Sequence, residues 1–129
     1  MKKFRSLIAS VLVAGAAIAT PALAHPKLVT AQPADKAATA PTNRITLTFS
    51  EPLVAAVSGM EVTMTGMPGM ADHHPAMKIA GVKVAPSADR KTLIATLPRP
   101  LAPGTYDINW HAVGADTHRM TGKVSFTVR

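Results

Sequence analysis

YDINWHA, residues 106–112, puts Tyr106, Ile108 and Trp110 on one side of an extended chain and Asp107, Asn109 and His111 on the other. KVSFTV, residues 123–128, does the same with Val124, Phe126 and Val128. Apolar residues at every second position mark strands with one face buried. Upstream, residues 44–49 repeat the pattern, with Ile45, Leu47 and Phe49 against Arg44, Thr46 and Thr48. Further strands are predicted over residues 27–31, 59–65, 78–84 and 92–97. Pro103-Gly104 marks a tight turn before Tyr106, and the Ala- and Pro-rich stretch 32–42 reads as a loop. No helical period outlasts these breakers. About seven short strands separated by turn signals predict an all-β, antiparallel, immunoglobulin-like sandwich or barrel. Trp110 is its natural anchor between two sheets.

The first 24 residues stand apart from that domain. Lys2, Lys3 and Arg5 precede an apolar run from Leu7 to Ile18, and Ala22-Leu23-Ala24 supplies small residues for cleavage. Residues 1–24 are therefore expected to be a signal peptide, with residues 25–129 exported to the periplasm as one domain. The apolar run is too short, and Pro21 follows too soon, for a spanning helix, so no stable membrane insertion is expected. With no cysteine in the chain, the domain has neither disulfides nor thiolate ligands, and lipidation after the expected cleavage site is not expected. Roughly 105 residues suffice for one core. The formal charge of +7 falls to about +4 without the leader, leaving eleven basic residues against seven acidic ones. They are scattered, with no interleaved aromatics, which argues against nucleic acid.

MEVTMTGMPGMADHHPAM, residues 60–77, is the first stretch with chemistry in it. Met64, Met67 and Met70 recur every third residue, His73 and His74 follow, and Met77 closes the run. Pro68, Gly69 and Pro75 break any helix. Thioethers are soft, uncharged donors, and several of them on one loop suit copper(I) better than zinc or magnesium. Methionines also fill cores or form adaptable protein-binding surfaces. Met60, alternating with Val62, fits a core strand. Met67 and Met70 flank a Pro-Gly turn where there is little core to fill.

Cleavage after Ala24 would expose His25 as the first residue, offering its α-amine and ring Nδ1 to one metal. Pro26 has no N–H, so its amide cannot join them. Further ligands must come from elsewhere, and Asp116-Thr117-His118 is the obvious source. In an extended chain, residues two apart point to one side, so Asp116 and His118 would converge. Glu51 is a further oxygen donor, either a direct ligand or a residue that orients one. An amine, two imidazoles and a carboxylate form a tetragonal N/O set that favours copper(II). His111 should face outward as a surface residue, and Met120 should pack. The chain carries no G-x-S-x-G, P-loop or H-E-x-x-H motif and no nucleophile–base pair.

These residues resemble the small periplasmic copper-resistance proteins of the CopC/PcoC type. The likeness runs through HPKLV (residues 25–29), TFSEPLV (48–54), MTGMPGM (64–70), PGTYDINW (103–110) and ADTHRMTGKVSFTV (115–128). It covers nearly the whole mature chain. The resemblance implies a Greek-key β-sandwich or barrel with copper(I) and copper(II) sites at opposite ends. It maps the copper(II) ligands onto His25, Glu51, Asp116 and His118. It maps the copper(I) ligands onto Met64, Met67, Met70 and Met77 with one histidine. In that family the histidine commonly sits two residues after the methionine matching Met70. Here Ala71 and Asp72 intervene, leaving His73 and His74 as alternatives. The implied role is a non-enzymatic copper carrier or buffer. Its implied partners are an inner-membrane CopD-like transporter or a periplasmic multicopper oxidase. An N-terminal histidine chelate on a β-sandwich also occurs in copper-dependent polysaccharide monooxygenases. That alternative lacks a flat aromatic platform here, because Tyr106 and Trp110 are both assigned to the core.

Overall fold

The computed structural model describes residues 25–67 and 75–129, together with the isolated Gly15. Its strands are β1 (Leu28–Gln32), β2 (Ala38–Thr39), β3 (Arg44–Phe49), β4 (Gly59–Gly66), β5 (Met77–Lys78), β6 (Lys83–Pro86), β7 (Thr92–Thr96), β8 (Gly104–Val113) and β9 (Arg119–Val128). They form two sheets, ordered β1-β3-β7-β6 and β2-β9-β8-β4-β5. Neighbours are antiparallel except β2, which runs parallel to β9. The chain passes repeatedly between the layers in Greek-key fashion, and the sheets stay separate rather than closing into a barrel.

The alternation read from the sequence builds this core. Ile45, Leu47 and Phe49 of β3 and Leu93 and Ala95 of β7 point inward from the first sheet. From the second, Met60, Val62, Met64, Tyr106, Ile108, Trp110, Val124, Phe126 and Val128 meet them. Phe49 and Trp110 pack edge to face across the layers at 5.1 Å between ring centroids. Tyr106 stacks on Phe126, its cross-strand partner, at 5.5 Å. The Tyr106 hydroxyl donates to the Ala102 carbonyl oxygen at 2.6 Å. That bond satisfies its polar tip and ties down the start of β8.

Two expectations need correcting. Residues 78–84 are not one strand. Ala80 and Gly81 form a turn, with Gly81 in the left-handed region at φ 77°. The chain leaves the second sheet at β5 there and enters the first at β6. Ile79, Val82 and Val84 all pack on the core, so the apolar pattern runs through the turn without marking it. The loop assigned to residues 32–42 contains β2, which is held against β9 by Thr127 N–H to Ala37 O and Arg129 N–H to Thr39 O. The described residues thus hold nine strands. Apart from Gly15, the expected leader lies outside the described residues.

Gly122 faces Trp110 across the β8–β9 ladder. A Cβ there would lie 2.3 Å from Trp110 Cζ2 and 2.5 Å from Cε2. The indole therefore lies directly over a residue that must have no side chain. Replacing Gly122 with Ala is expected to cost about 1–3 kcal/mol by overpacking, read from urea unfolding followed by Trp110 fluorescence. An unchanged midpoint would mean that the indole moves aside freely.

Candidate metal centres

At one end of the sandwich, β8 runs out at Val113 and the chain turns through Gly114 to Thr117 before β9 begins. The turn closes with Thr117 N–H donating to Gly114 O at 3.0 Å. Asp116 Oδ1 accepts from the His118 backbone N–H at 3.2 Å. Thr117 sits in the left-handed region at φ 66°, which is uncommon for a β-branched residue. Asp116 and His118 do converge, as expected, but on a tight turn with an aspartate-capped backbone rather than on an extended chain.

The N-terminal segment comes to this turn from the other sheet. Pro26 is fully buried. Lys27 is clamped to Ser50 in both directions. Its N–H donates to Ser50 Oγ at 3.0 Å, and Ser50 N–H donates to Lys27 O at 2.8 Å. His25 is thereby delivered to Asp116, with Nδ1 2.6 Å from Oδ2. His118 Nδ1 lies 3.3 Å from the same oxygen. The two imidazoles meet edge to face at 4.9 Å between centroids. One donor atom from each of His25, Asp116 and His118 lies within 4.8 Å of the others. Bonds of the length seen at zinc, about 2.0–2.2 Å, place two donors of one ion within about 4.4 Å. A small inward adjustment would let the three share a metal.

The carboxylate is shielded, with 12% of its side chain exposed, while the rings of His25 (49%) and His118 (70%) open to solvent. An ion could thus enter from outside and find a negative charge at the floor. Partial burial pushes the Asp116 carboxyl up. The His118 N–H, the His25 ring and the charge each imidazole can carry outweigh that, and hold it below the usual aspartate range.

Glu51 lies one residue beyond Ser50, on a loop tied to the end of β8 by the Leu53–Gly114 bridge and the Val54 N–H to Val113 O bond. It shares the end of the sandwich with the cluster but is not part of the convergent group. His111 lies over Gly59, its ring within 3.2 Å of where a Cβ would stand, and is half-buried. Met120 packs against the core.

The methionines gather at the opposite end. Met64 and Met77 are direct partners in the β4–β5 ladder. Directly opposed residues project to the same face with Cβ atoms about 5 Å apart, so the two side chains leave the sheet from adjacent positions. Met64 is nearly buried (5%), whereas Met77 (49%) and Met67 (39%) are exposed. Met64 also lines a groove of 550 Å³ with Ile79, Pro98, Leu101 and Tyr106. It reaches that position because Gly104 has no side chain, since a Cβ there would lie 2.7 Å from Met64 Cε. Met70, His73 and His74 lie outside the described residues.

Ser50 and Gly114 shape the first site without having been singled out in the sequence, and Pro26 and Thr117 were noted there for other reasons than the packing and the turn they supply. Only Gly114, opening the turn before Asp116, carried a signal, because glycine punctuates turns.

A sequence model described as the CopC domain matches residues 28–129. The chain is 46% identical over 130 residues to copper resistance protein C of Xanthomonas campestris pv. juglandis, covering all of both chains. It is similar to the crystal structure of PcoC, a methionine-rich copper resistance protein from Escherichia coli. There the TM-score is 0.74 and the identity 42%, covering 82% of this chain and all of that one. CopC from Methylosinus trichosporium OB3b shares the fold at a TM-score of 0.61 and 24% identity, covering 81% of this chain and 93% of that one.

The depressed Asp116 carboxyl has a consequence without any metal. A carboxyl held below its unfolded value contributes stability that is present above the unfolded value and lost as pH falls through the folded one. Asp116→Asn should therefore flatten the decline of stability below about pH 4, where aspartates ordinarily titrate. Chemical denaturation of the metal-free protein at a series of pH values would check this. An acid limb as steep as that of the parent would show that the Asp116 contacts do not favour its charge.

Proposed function

This chain belongs to the CopC domain family, and we propose that it is a non-enzymatic periplasmic carrier that buffers or ferries copper in both oxidation states. The observation that carries the reading is the convergence of His25, Asp116 and His118 on one accessible spot. Nitrogen and oxygen donors of this kind suit copper(II). Once the leader is removed, the α-amine of His25 can add a second nitrogen beside its own imidazole, and Glu51 on the adjacent loop can add an oxygen. The opposed Met64 and Met77, with Met67 exposed one residue past the end of β4, support a separate copper(I) site. Met70 and either His73 or His74 would complete it. Relatives named copper resistance protein C support copper as the cargo. An inner-membrane CopD-like transporter or a periplasmic multicopper oxidase is the proposed receiver or donor of that copper.

The chemistry asked of the protein is selection and release. Soft thioethers hold copper(I) without proton competition, whereas imidazoles must be neutral to bind. Because an aspartate ionises well below the range in which an imidazole becomes neutral, acid should displace copper(II) first through the histidines.

Two experiments test the reading. Met67 and Met77 are exposed, so changing both to Leu should cost little stability, within about 0.5 kcal/mol each. Copper(I) affinity should fall while copper(II) affinity is retained, as measured by competition titrations with oxidation-state-specific chelators. Equal loss of both would merge the two sites into one. Adding a single Gly before His25 converts the terminal amine to an amide, whose lone pair is delocalised. Copper(II) affinity should drop at least tenfold, about 1.4 kcal/mol, and the electron paramagnetic resonance spectrum should report fewer nitrogens. Copper(I) binding should not change. Undiminished copper(II) affinity would remove the amine from the ligand set.

A further inference from the structure

The convergence of His25 on Asp116 depends on residues that donate nothing to a metal. His25 sits at the edge of the domain, and its ring is half exposed. Nothing in its own chemistry confines it. What confines it is the residue that follows. Pro26 is buried against Gly114, where an added Cβ would come within 3.0 Å of Pro26 Cδ and 3.4 Å of both Pro26 Cγ and Asp116 Oδ1. The bare backbone of Gly114 is therefore a socket that takes the proline ring on one side and the Asp116 carboxylate on the other. Neither neighbour can yield easily. The ring is rigid and enclosed, and the carboxylate is already held by the His118 N–H and the His25 ring.

One residue further on, Lys27 is fixed by its two hydrogen bonds to Ser50, which precedes Glu51. Leu53 bridges to Gly114 itself. The Ser50 loop, the N-terminal strand and the Gly114 turn thus form one closed set of contacts behind the metal-binding groups.

We propose that Gly114, with Pro26 and Ser50, is a positioning device for the copper(II) site. Gly114 acts by having no side chain, and it sets where the nitrogens of His25 stand relative to Asp116. The inference rests on the copper(II) reading above. Part of its test does not.

The test uses the mature chain beginning at His25, carrying Gly114→Ala. In the metal-free protein, nitrogen-resolved NMR of the imidazoles should show the His25–Asp116 hydrogen bond weakened or lost, with the rest of the spectrum preserved. Copper(II) affinity should fall by about tenfold or more, and the hyperfine pattern in electron paramagnetic resonance should broaden or shift. Copper(I) affinity should be unchanged. Ser50→Ala, which removes the hydroxyl that accepts the Lys27 N–H, should weaken copper(II) binding by a smaller factor, about fivefold, in line with one hydrogen bond. Ser50→Thr, which keeps the hydroxyl, should restore it. The Ser50 pair decides the matter should Gly114→Ala fold poorly. An intact His25–Asp116 bond in Gly114→Ala overturns the inference, as does unaltered copper(II) affinity in that variant or in Ser50→Ala. If the parent protein itself bound no copper(II), the functional reading would fail. The metal-free NMR comparison would still say whether Gly114 seats His25.

Discussion

The pairing of β8 with β9 is the constraint on which the rest depends. The ladder runs without interruption through ten residue pairs, from Gly104–Val128 to Val113–Arg119. Because side chains alternate, a slip of one residue would turn either Tyr106, Ile108 and Trp110 or Val124, Phe126 and Val128 out to solvent as a set. The register is pinned at two places by shape. Tyr106 stacks on Phe126, and Trp110 lies over Gly122. The second sheet grows from this ladder on both sides, with β4 on β8 and β2 on β9. The first sheet is laid against it through Phe49 and Trp110.

The same ladder sets the distance between the two candidate centres. Gly104, at the start of β8, lies against Met64 and Gly66, where the methionines gather. Val113, at its other end, leads into the turn that carries Asp116 and His118. Ten residues of antiparallel strand span roughly 30 Å. Donors at the two ends cannot share an ion, and events at one end reach the other only through a packed core. Different physics builds each end. The Met64–Met77 pair is a product of strand register, so it follows from the sheet. The His25–Asp116–His118 cluster lies in loops and needs local devices, namely a left-handed Thr117, a capped turn and a buried Pro26.

That difference explains what could be read in the sequence. The core was legible because period-two alternation is a local signal, and Ile45 through Phe49 and Tyr106 through Trp110 report it plainly. The break at Ala80-Gly81 was not, because Ile79, Val82 and Val84 stay apolar on both sides while the chain changes sheets. Only Gly81 marks the turn, and a lone glycine in an apolar run is ambiguous. The Asp116-x-His118 spacing pointed to convergence for the wrong reason, since the residue between them folds back instead of extending. His25 drew attention through the expected cleavage pattern, which is a matter of chemistry and not of packing. What holds His25 in place was not legible, because Pro26, Ser50 and Gly114 are far apart in the chain and become neighbours only once both sheets have formed.

On the proposed reading a copper ligand, His25, stands at a chain end after cleavage, and the fold meets the problem this raises in a particular way. Terminal residues usually fray, and ordering one backbone residue costs about 1–2 kcal/mol. An ion bound by a frayed terminus would have to supply that ordering from its own binding energy, which lowers its affinity. Proline reduces the cost because its fixed φ already restricts the unfolded chain. Burying Pro26 adds apolar contact one residue from His25, and the Lys27–Ser50 hydrogen bonds oppose fraying behind it. Proline also removes the amide N–H that could otherwise compete for the metal as a deprotonated nitrogen. One residue type therefore meets two demands at that position, rigidity and silence. The cost is borne by Gly114, where any side chain would compete with the ring for the same space.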